Sequence, residues 1–387
     1  MKIVFLHHAN VCRGGIERML ATKANWLVEH EGHEVVMLTY EQNGVSFPYT
    51  LSPKVRMVDL GIHLYDIYKA PLPFRYFFKL KRCRQLSVAL RHFLDEERPD
   101  LVVCTDKDYN ELNALSDIRQ SESIAIEAHT GMVDHLMQVR QTTNIIRKRI
   151  AVYGVHKLQR VASRFDAMIA LTADDARLWS PYVKTVVIPN YYSEPSIRPA
   201  DLTLEKKRVI AVGRLNYQKG QDLLLQAWQQ VERRHPDWHL DIYGDGEEHD
   251  NLTRLQAALH LHHVTIHPST PDIFTHYVQS DFLVCSSRWE SFGLIVIEAM
   301  SCGLPVVSFD CDNGPRNVIR NGEDGWLVED GNIGELAAKM NQMIEQPALR
   351  STMGAHALKH VTRFQKEPIL RQYADFYRQL AEARGAH

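Results

Sequence analysis

The sequence predicts an α/β protein with two Rossmann-like domains, each built on a doubly wound parallel sheet, that face each other across a cleft. Three observations lead to this fold class. Short apolar runs typical of buried strands alternate with amphipathic helical patterns from residue 2 onward. The alternation stops in a proline-containing stretch at about 189–206 that has no periodic apolar face. The same alternation begins again at Arg208, which predicts a second domain of the same kind.

The predicted strands of the first half are 2–6, 35–39, 101–104, 124–127, 167–171 and 186–188. Those of the second half are 209–212, 240–243, 264–266, 282–285 and 306–309, with helices near 222–234, 248–259, 271–278 and 294–301. From about Gly334 the pattern is helical. The sequence therefore predicts an N-terminal domain over 1–190, a linker at about 189–206, a C-terminal domain over 191–365, and a last helix over 366–387 that packs back on the N-terminal domain.

Composition excludes some classes of protein. The 387 residues carry a net charge of −2, which argues against a dedicated nucleic-acid-binding protein. No uninterrupted apolar run approaches about 18 residues, and the apolar N-terminal run is too short for a signal peptide. The six cysteines form no CxxC pair. We therefore expect a protein of the reducing cytoplasm that does not span a membrane.

The stretch from Arg288 to Pro305 is the most informative part of the sequence. A strand-like run ends at Cys285, a polar loop follows, and a helix is predicted from Leu294. This order places Glu290 in a loop at the carboxyl end of a strand and Glu298 about one turn inside the helix. The backbone N–H groups of Phe292, Gly293 and Leu294 would then point to an anion at the helix N-terminus.

Two carboxylates beside an anion site would accept hydrogen bonds from hydroxyl groups attached to that anion. A nucleotide sugar has this arrangement, because its diphosphate lies between a ribose and a second sugar. Taken alone, either Glu290 or Glu298 is more often a surface or helix residue in an ordinary ion pair. The rest of the sequence has to decide between these alternatives.

A second loop in the same domain carries two cations. In the string GRLNYQKG, Gly213 ends a strand, and Arg214 and Lys219 precede the next helix. An arginine can bind a phosphate through two N–H groups, and a lysine acts as a point charge. Each residue by itself is an ordinary surface base, but their presence beside the acidic pair favours a diphosphate site.

Two features of the N-terminal half have open interpretations. Gly14 and Gly15 precede the first helix and form either a substrate loop or a simple tight turn. His129 follows a predicted strand, where it is either a structural residue or a group that bonds a sugar hydroxyl or transfers a proton.

The predicted helix at about 73–98 is basic and amphipathic. Its cations are interleaved with aromatic and aliphatic residues: Arg75, Lys79, Lys81, Arg82, Arg84 and Arg91. Such a face suits an anionic membrane surface or a phosphorylated acceptor, and the alternative is a solvated helix face. A second basic cluster stands at 147–149.

With these residues assembled, the sequence resembles the glycosyltransferases of family 4, a retaining group with the GT-B fold. The resemblance covers nearly the whole chain. It rests on Gly14-Gly15, His129, Arg214 with Lys219-Gly220, IYGDGE at 242–247, PDIFTHYVQSDFLV at 271–284, Glu290 to Glu298, and AMSCGLPVVSFD at 299–310.

The resemblance implies a role for each of these site residues. Arg214, Lys219 and the backbone at 292–294 would hold the donor diphosphate, and Glu298 would bind the ribose. Glu290 would contact the transferred sugar, and His129 would reach that sugar from the N-terminal domain. It also implies that no metal or other cofactor is needed, since these cations and the helix N-terminus stabilise the leaving diphosphate.

We therefore expect a metal-independent retaining hexosyltransferase that moves a sugar from a UDP- or GDP-sugar to a glycan or lipid-diphosphate-linked acceptor. Bacterial proteins of this family often build surface polysaccharide or lipopolysaccharide, so the expected place of work is the inner face of the cell membrane. Two alternatives stay open at this point: a nucleotide-sugar 2-epimerase of the same fold, and a non-catalytic sugar-nucleotide-binding subunit.

Overall fold

The computed structural model describes residues 1–9, 14–64, 72–106, 109–118, 122–192, 199–202 and 204–385. The first part of the predicted Gly14-Gly15 loop and much of the predicted linker lie outside the described residues. The chain divides into two compact units. The first comprises Met1–Ile188 together with Ile369–His387, and the second comprises Pro189–Pro368.

The first unit is built on a seven-stranded sheet in which every pair of neighbouring strands is parallel. Its strands are β1 (Lys2–Leu6), β2 (Glu34–Thr39), β3 (Arg56–Asp59), β4 (Leu101–Thr105), β5 (Ser123–Ala128), β6 (Ala167–Ala170) and β7 (Thr185–Val187). They run in the order β3-β2-β1-β4-β5-β6-β7. The helices of this part of the chain are α1 (Gly15–His30), α2 (Leu72–Glu97), α3 (Tyr109–Ile118), α4 (Gly131–Gln141), α5 (Ile145–Ala162) and α6 (Ala173–Trp179).

The second unit repeats this architecture with a six-stranded parallel sheet. Its strands are β8 (Arg208–Val212), β9 (His239–Tyr243), β10 (Val264–His267), β11 (Phe282–Cys285), β13 (Val306–Phe309) and β15 (Gly325–Val328), and a separate pair is formed by β12 (Trp289–Glu290) and β14 (Asp312–Asn313). The order in the sheet is β10-β9-β8-β11-β13-β15. Its helices are α7 (Gln221–Arg234), α8 (His249–Ala258), α9 (Ile273–Val278), α10 (Leu294–Ser301), α11 (Pro315–Val318), α12 (Ile333–Glu345) and α13 (Pro347–His360), and the last helix is α14 (Lys366–Gly385).

Both sheets form because their central strands are buried on two sides. All residues of β4, β5 and β11 are buried, as expected of parallel strands covered by helices on both faces. In the first unit, one face of the sheet packs against α2, α3 and α5, and the shared core includes Leu86, Leu115 and Leu158. In the second unit, Trp228 and Phe282 lie in the corresponding core.

Each sheet has one point at which the strand order reverses. In the first unit β1 lies between β2 and β4, and in the second unit β8 lies between β9 and β11. Connections leave the two neighbouring strands in opposite directions at such a point, which opens a crevice at their carboxyl ends. The loops that follow β8 and β11 are therefore neighbours at the reversal point of the second sheet.

The fold class is confirmed as parallel α/β with two Rossmann-like sheets, and every predicted strand is present. Two strands, β3 and β15, were not predicted from the sequence, and each lies at one edge of its sheet. In β3, three of four residues are exposed, so its sequence RMVD lacks the apolar run of a buried strand. In β15, only the two end residues are buried.

From Ile369 onward, the last helix, α14, belongs to the first unit and packs within it. The hydroxyl of Tyr373 donates to the carbonyl of Ile188 at 3.3 Å, and the hydroxyl of Ser123 donates to the carbonyl of Leu380 at 3.0 Å. Within the described part of the chain, no helix combines the length and the apolar character needed to cross a bilayer.

Candidate functional site

The loop between β8 and α7 is held in place by the loop that follows β11. The hydroxyl of Ser286 donates to the carbonyl of Lys219 at 3.0 Å. Gly220 has a φ of +64°, and a Cβ there would clash with the carbonyl oxygen of Ser286. Only glycine fits this combination of left-handed backbone and close approach. The two loops are therefore rigidly joined at the carboxyl ends of β8 and β11.

Arg288 joins the same two loops. Its guanidinium donates to the Asp222 carboxylate through both terminal nitrogens, at 2.9 and 2.7 Å, and to the carbonyl of Tyr217 at 2.7 Å. The guanidinium also lies 4.0 Å from the centre of the Tyr217 ring. A bidentate pair fixes position and angle together, so Arg288 positions the segment that carries Glu290.

Glu290 is buried and accepts two bonds on one oxygen. Its Oε1 accepts from Lys219 Nζ at 2.5 Å and from the hydroxyl of Ser287 at 2.7 Å. Burial alone would lower the pKa of Lys219, but the Glu290 carboxylate outweighs burial and raises that pKa above its usual value. Lys219 therefore stays a cation. A Cβ at Gly314 would clash with the side chain of Glu290, so the loop after β14 closes over this group.

The N-terminus of α10 follows directly. Gly293, with a φ of +87°, precedes the first helical residue, Leu294. Phe292 is buried against the ring of Phe364, with ring centres 5.6 Å apart. The first N–H groups of a helix have no acceptor within the helix, so they can bind an anion. Glu298 is buried one turn further along α10.

Arg214 differs from Lys219 in its surroundings. Its carbonyl accepts from the backbone N–H of Asn216 at 2.9 Å and from the side-chain amide of Gln221 at 3.1 Å, which fixes the backbone. Its side chain is exposed. Among the described residues, none forms a hydrogen bond or ion pair with its guanidinium. Arg214 can therefore reach an anionic ligand without breaking an existing pair.

In the first unit, His129 follows β5 and is buried. Its Nε2 lies 2.8 Å from Oε2 of Glu127, which is completely buried. The other oxygen of Glu127 accepts from Lys23 Nζ at 2.5 Å and from the hydroxyl of Tyr377 in α14. Glu127 is thus contacted from α1, from α14 and from the loop after β5, which carries His129.

The charges of this cluster compensate one another. Burial would raise the pKa of Glu127, but Lys23 and His129 beside it hold that pKa at about 2. Burial lowers the pKa of Lys23, and Glu127 opposes this change. The Lys23 ammonium also lies 3.7 Å from the centre of the Tyr373 ring. Glu127 is therefore a carboxylate at neutral pH.

Gly14 and Gly15 lie where α1 begins. Gly15 is the first residue of the helix, and the carbonyl of Gly14 accepts from the hydroxyl of Tyr49 at 3.1 Å. The residues just before Gly14 lie outside the described ranges, so the choice between a substrate loop and a tight turn stays open. In the part of the chain that the structure describes, no group of three or more His, Cys, Asp or Glu side chains is arranged to hold a metal ion.

The loops after β8 and β11 both lie in a segment that comparison with known proteins identifies. Residues 194–360 match the model of the family described as glycosyl transferases group 1. The chain is also similar to an uncharacterised glycosyltransferase of Haemophilus influenzae, with 29% identity over 87% of this chain and 88% of the relative. It is 24% identical to the amylovoran biosynthesis glycosyltransferase AmsD of Erwinia amylovora, over 94% of this chain and 95% of the relative.

Solved structures share the fold over nearly the whole chain. Sucrose-phosphate synthase from Thermosynechococcus elongatus superposes with a TM-score of 0.81 at 20% identity, covering 99% of both chains. Anabaena HepE, solved in complex with UDP, gives a TM-score of 0.73 at 20% identity, covering 98% of this chain and 100% of the other. These similarities show the GT-B fold, with its two Rossmann-like sheets.

The segment that matches this family model contains all predicted site residues of the second unit. The structure brings Lys219 and Glu290 into direct contact, and it places Arg214, Phe292 to Leu294 and Glu298 on the same two loops and the helix that follows. The matched segment does not include Gly14, Gly15 or His129. The roles assigned to all these residues stay predictions.

Several residues that support the site were not predicted from the sequence. They are Asp222, Ser286, Ser287, Arg288 and Gly314 in the second unit, and Lys23, Glu127 and Tyr377 in the first. Two of them left a signal in the sequence. Lys23 stands on the apolar stripe of α1 between Leu20 and Leu27, and Glu127 interrupts a buried strand. Two opposite charges at core positions predict a buried ion pair.

Proposed function

We propose that this chain is a glycosyltransferase that moves a sugar from a nucleoside diphosphate sugar, with UDP or GDP as the nucleoside diphosphate, to a glycan or lipid-linked acceptor. The observation that carries the proposal is the contact between Lys219 and Glu290, next to the N-terminus of α10, at the strand-order reversal of the second sheet. A cation, a buried carboxylate and free helix N–H groups suit a diphosphate with a sugar on it.

Each group has a distinct proposed role in this site. Arg214, Lys219 and the N–H groups at 292–294 bind the diphosphate, and Glu298 accepts hydrogen bonds from the ribose hydroxyls. Both bonds to Glu290 reach Oε1, and within the described residues nothing donates to Oε2. We assign Oε2 to a hydroxyl of the transferred sugar.

The proposed reaction retains the configuration at C1 of the sugar. The bond from C1 to the diphosphate oxygen breaks, and a bond from C1 to the acceptor hydroxyl oxygen forms on the same face. The acceptor proton passes to the leaving phosphate. Lys219, Arg214 and the helix N-terminus stabilise the negative charge that develops on the diphosphate, which is the task a metal ion performs in other phosphate-binding enzymes.

The relatives support a place in polysaccharide biosynthesis, because AmsD is named for the synthesis of amylovoran. We propose that the protein builds a bacterial surface polysaccharide at the cytoplasmic face of the cell membrane.

The helix α2 carries six cations with exposed Phe77, Leu80 and Val88 between them. These apolar groups also line a cavity of about 1060 Å³ beside residues 58–62. Such a helix can rest on anionic lipid.

A donor screen tests the proposal. Purified protein is heated with UDP-, GDP- and ADP-sugars, and binding to the native state raises Tm, by the equivalent of about 2.7 kcal/mol at 100 times Kd. We expect sugars of one nucleotide class to raise Tm. If no nucleotide sugar changes Tm at millimolar concentration, the proposed function is wrong.

A second assay separates the alternatives within the fold. Nucleoside diphosphate release is measured with and without lipid-diphosphate glycan acceptors. Release that depends on acceptor supports transfer. An epimerised sugar formed without acceptor identifies an epimerase, and donor binding with neither product identifies a non-catalytic subunit.

A further inference from the structure

Three elements of the first unit converge on the carboxylate of Glu127. Lys23 comes from α1, Tyr377 from α14, and His129 from the loop after β5. Lys23 and Tyr377 both donate to Oε1, and His129 Nε2 lies 2.8 Å from Oε2. The hydroxyl of Tyr377 comes from a residue 250 positions away in the sequence, so the C-terminal helix completes this cluster.

Stability alone is a poor explanation for this arrangement. Removing a lysine and a carboxylate from water costs several kcal/mol for each ion, and well-packed apolar residues often stabilise a core equally well. Lys23 is 1% exposed and Glu127 is 0% exposed. Apolar residues could not supply a hydrogen-bond acceptor for His129, whereas Oε2 of Glu127 faces its imidazole.

The charge state of Glu127 determines where the proton of His129 lies. An ionised carboxylate only accepts hydrogen bonds. The neutral imidazole must therefore carry its proton on Nε2 and donate it to Glu127. The other ring nitrogen, Nδ1, is then left without a proton and can accept one, or accept a hydrogen bond from a hydroxyl.

We propose that Glu127 is a positioning residue that fixes the tautomer and ring orientation of His129, and that α14 takes part through the hydroxyl of Tyr377. The inference rests on the proposed function only for its effect on turnover. The tautomer itself is a property of the protein and is measured without any substrate.

The tautomer is tested by replacing Glu127 with glutamine. Lys23 and Tyr377 keep the glutamine oxygen on their side, so the amide NH₂ faces His129 and donates to Nε2. We expect the proton of His129 to move to Nδ1 in Glu127→Gln. Protein labelled with ¹⁵N in histidine is measured by NMR at a pH where the ring is neutral, and the signals of His129 are assigned by their loss in His129→Gln.

Two results would overturn the proposal: a wild-type His129 protonated on Nδ1, or an unchanged tautomer in Glu127→Gln. Because Glu127→Gln leaves Lys23 without its anion, the double variant Lys23→Met/Glu127→Gln is measured too. It removes both charges from the core, keeps the Tyr377 hydroxyl on the glutamine oxygen, and is expected to show the same change of tautomer.

The part played by α14 is tested by two matched substitutions. Tyr377→Phe removes the hydroxyl that donates to Glu127, whereas Tyr373→Phe removes a hydroxyl of the same helix that donates to Ile188 and keeps the ring beside Lys23. We expect turnover to fall about 10- to 100-fold in Tyr377→Phe, the scale of a misplaced catalytic group. We expect less than about a twofold change in Tyr373→Phe, with an unchanged donor-induced rise in Tm in both.

Equal turnover in the two tyrosine variants would remove α14 from the proposal. If no nucleotide sugar binds at all, the proposed function fails, while the NMR measurement still decides whether Glu127 fixes the tautomer of His129.

Discussion

At the scale of single residues, the proposed site of the second unit has one cation in an ion pair and one whose guanidinium has no partner among the described residues. Lys219 is already bound to Glu290, and Arg214 has an exposed guanidinium on a fixed backbone. We therefore expect Arg214 to bind the proposed diphosphate without competition from a carboxylate. Lys219 has three N–H donors and can contact the phosphate while it keeps Glu290 in place.

Gly220 offers a prediction at this scale. Replacing a glycine whose φ is near +60° lowers the free energy of unfolding by about 1–2 kcal/mol, because a Cβ is strained in this backbone conformation. Gly331 has a φ of +74° with nothing within 4 Å of a built Cβ, whereas a Cβ at Gly220 clashes with Ser286. We expect Gly220→Ala to lower Tm clearly more than Gly331→Ala. Only Gly220→Ala also forces the two site loops apart, and this overpacking lowers the free energy of unfolding by a further ~1–3 kcal/mol.

Differential scanning calorimetry of the two glycine variants measures this difference. Gly331→Ala serves as the control for backbone strain alone. Equal decreases in Tm would show that the contact between Gly220 and Ser286 is not tightly packed, and the rigid joining of the two loops would then be wrong.

At the scale of elements, α2 and α5 both combine cations with exposed apolar side chains. Both pack on α3 and contribute to one core on one face of the first sheet. Neither α5 nor the part of α2 from residue 72 to 94 contains Asp or Glu. In α5, Ile145, Ile146 and Ile150 are each more than 60% exposed and flank the basic cluster at 147–149. Exposed aliphatic groups beside cations suit an anionic bilayer better than a nucleic acid.

The exposed basic face of α5 leads to a prediction of membrane binding. Each Lys or Arg near an anionic bilayer contributes about 1 kcal/mol. Replacing two cations in Arg147→Ser/Lys148→Ser should therefore weaken binding to phosphatidylglycerol-containing vesicles about 30-fold. The matched control is Arg233→Ser/Arg234→Ser, which removes two exposed cations from the end of α7 in the second unit.

Co-sedimentation with vesicles measures both variants. We expect the control variant to bind anionic vesicles like the wild type. Vesicles of phosphatidylcholine alone should bind neither the wild type nor the control variant. Equal loss in both variants would mean that binding follows net charge and not this face of α5. Absence of binding by the wild type would remove the proposed membrane contact.

At the scale of the whole molecule, the repeated sheets could be predicted because their central strands are short continuous apolar runs. The run at 282–285 reads as a buried strand by itself, and the polar loop and glycine after it indicate the following helix. Edge strands such as β3 lack this signal, since their side chains face solvent.

The contacts that hold the site together were harder to predict. Arg288 and Asp222 are 66 positions apart, and Tyr377 and Glu127 are 250 positions apart. No local periodicity relates such pairs. The loop residues Arg214, Lys219, Glu290 and Glu298 could be selected from their types and positions at strand ends, but their mutual contacts depend on which strands are neighbours in the sheet.

In the proposed site, the second unit binds a nucleoside diphosphate and Glu298 holds its ribose. Calorimetric titration of the nucleoside diphosphate from the donor screen tests it most directly, in the wild type, Glu298→Ala and Glu290→Ala. We expect Glu298→Ala to lose about 1.5–3 kcal/mol of binding free energy, the scale of a hydrogen bond to a charged group. Glu290→Ala should change the affinity for the diphosphate only through Lys219, which loses its carboxylate partner, because the proposed partner of Glu290 Oε2 is the absent sugar. Unchanged affinity in Glu298→Ala would contradict the assignment of the ribose to Glu298, and with it the proposed donor site.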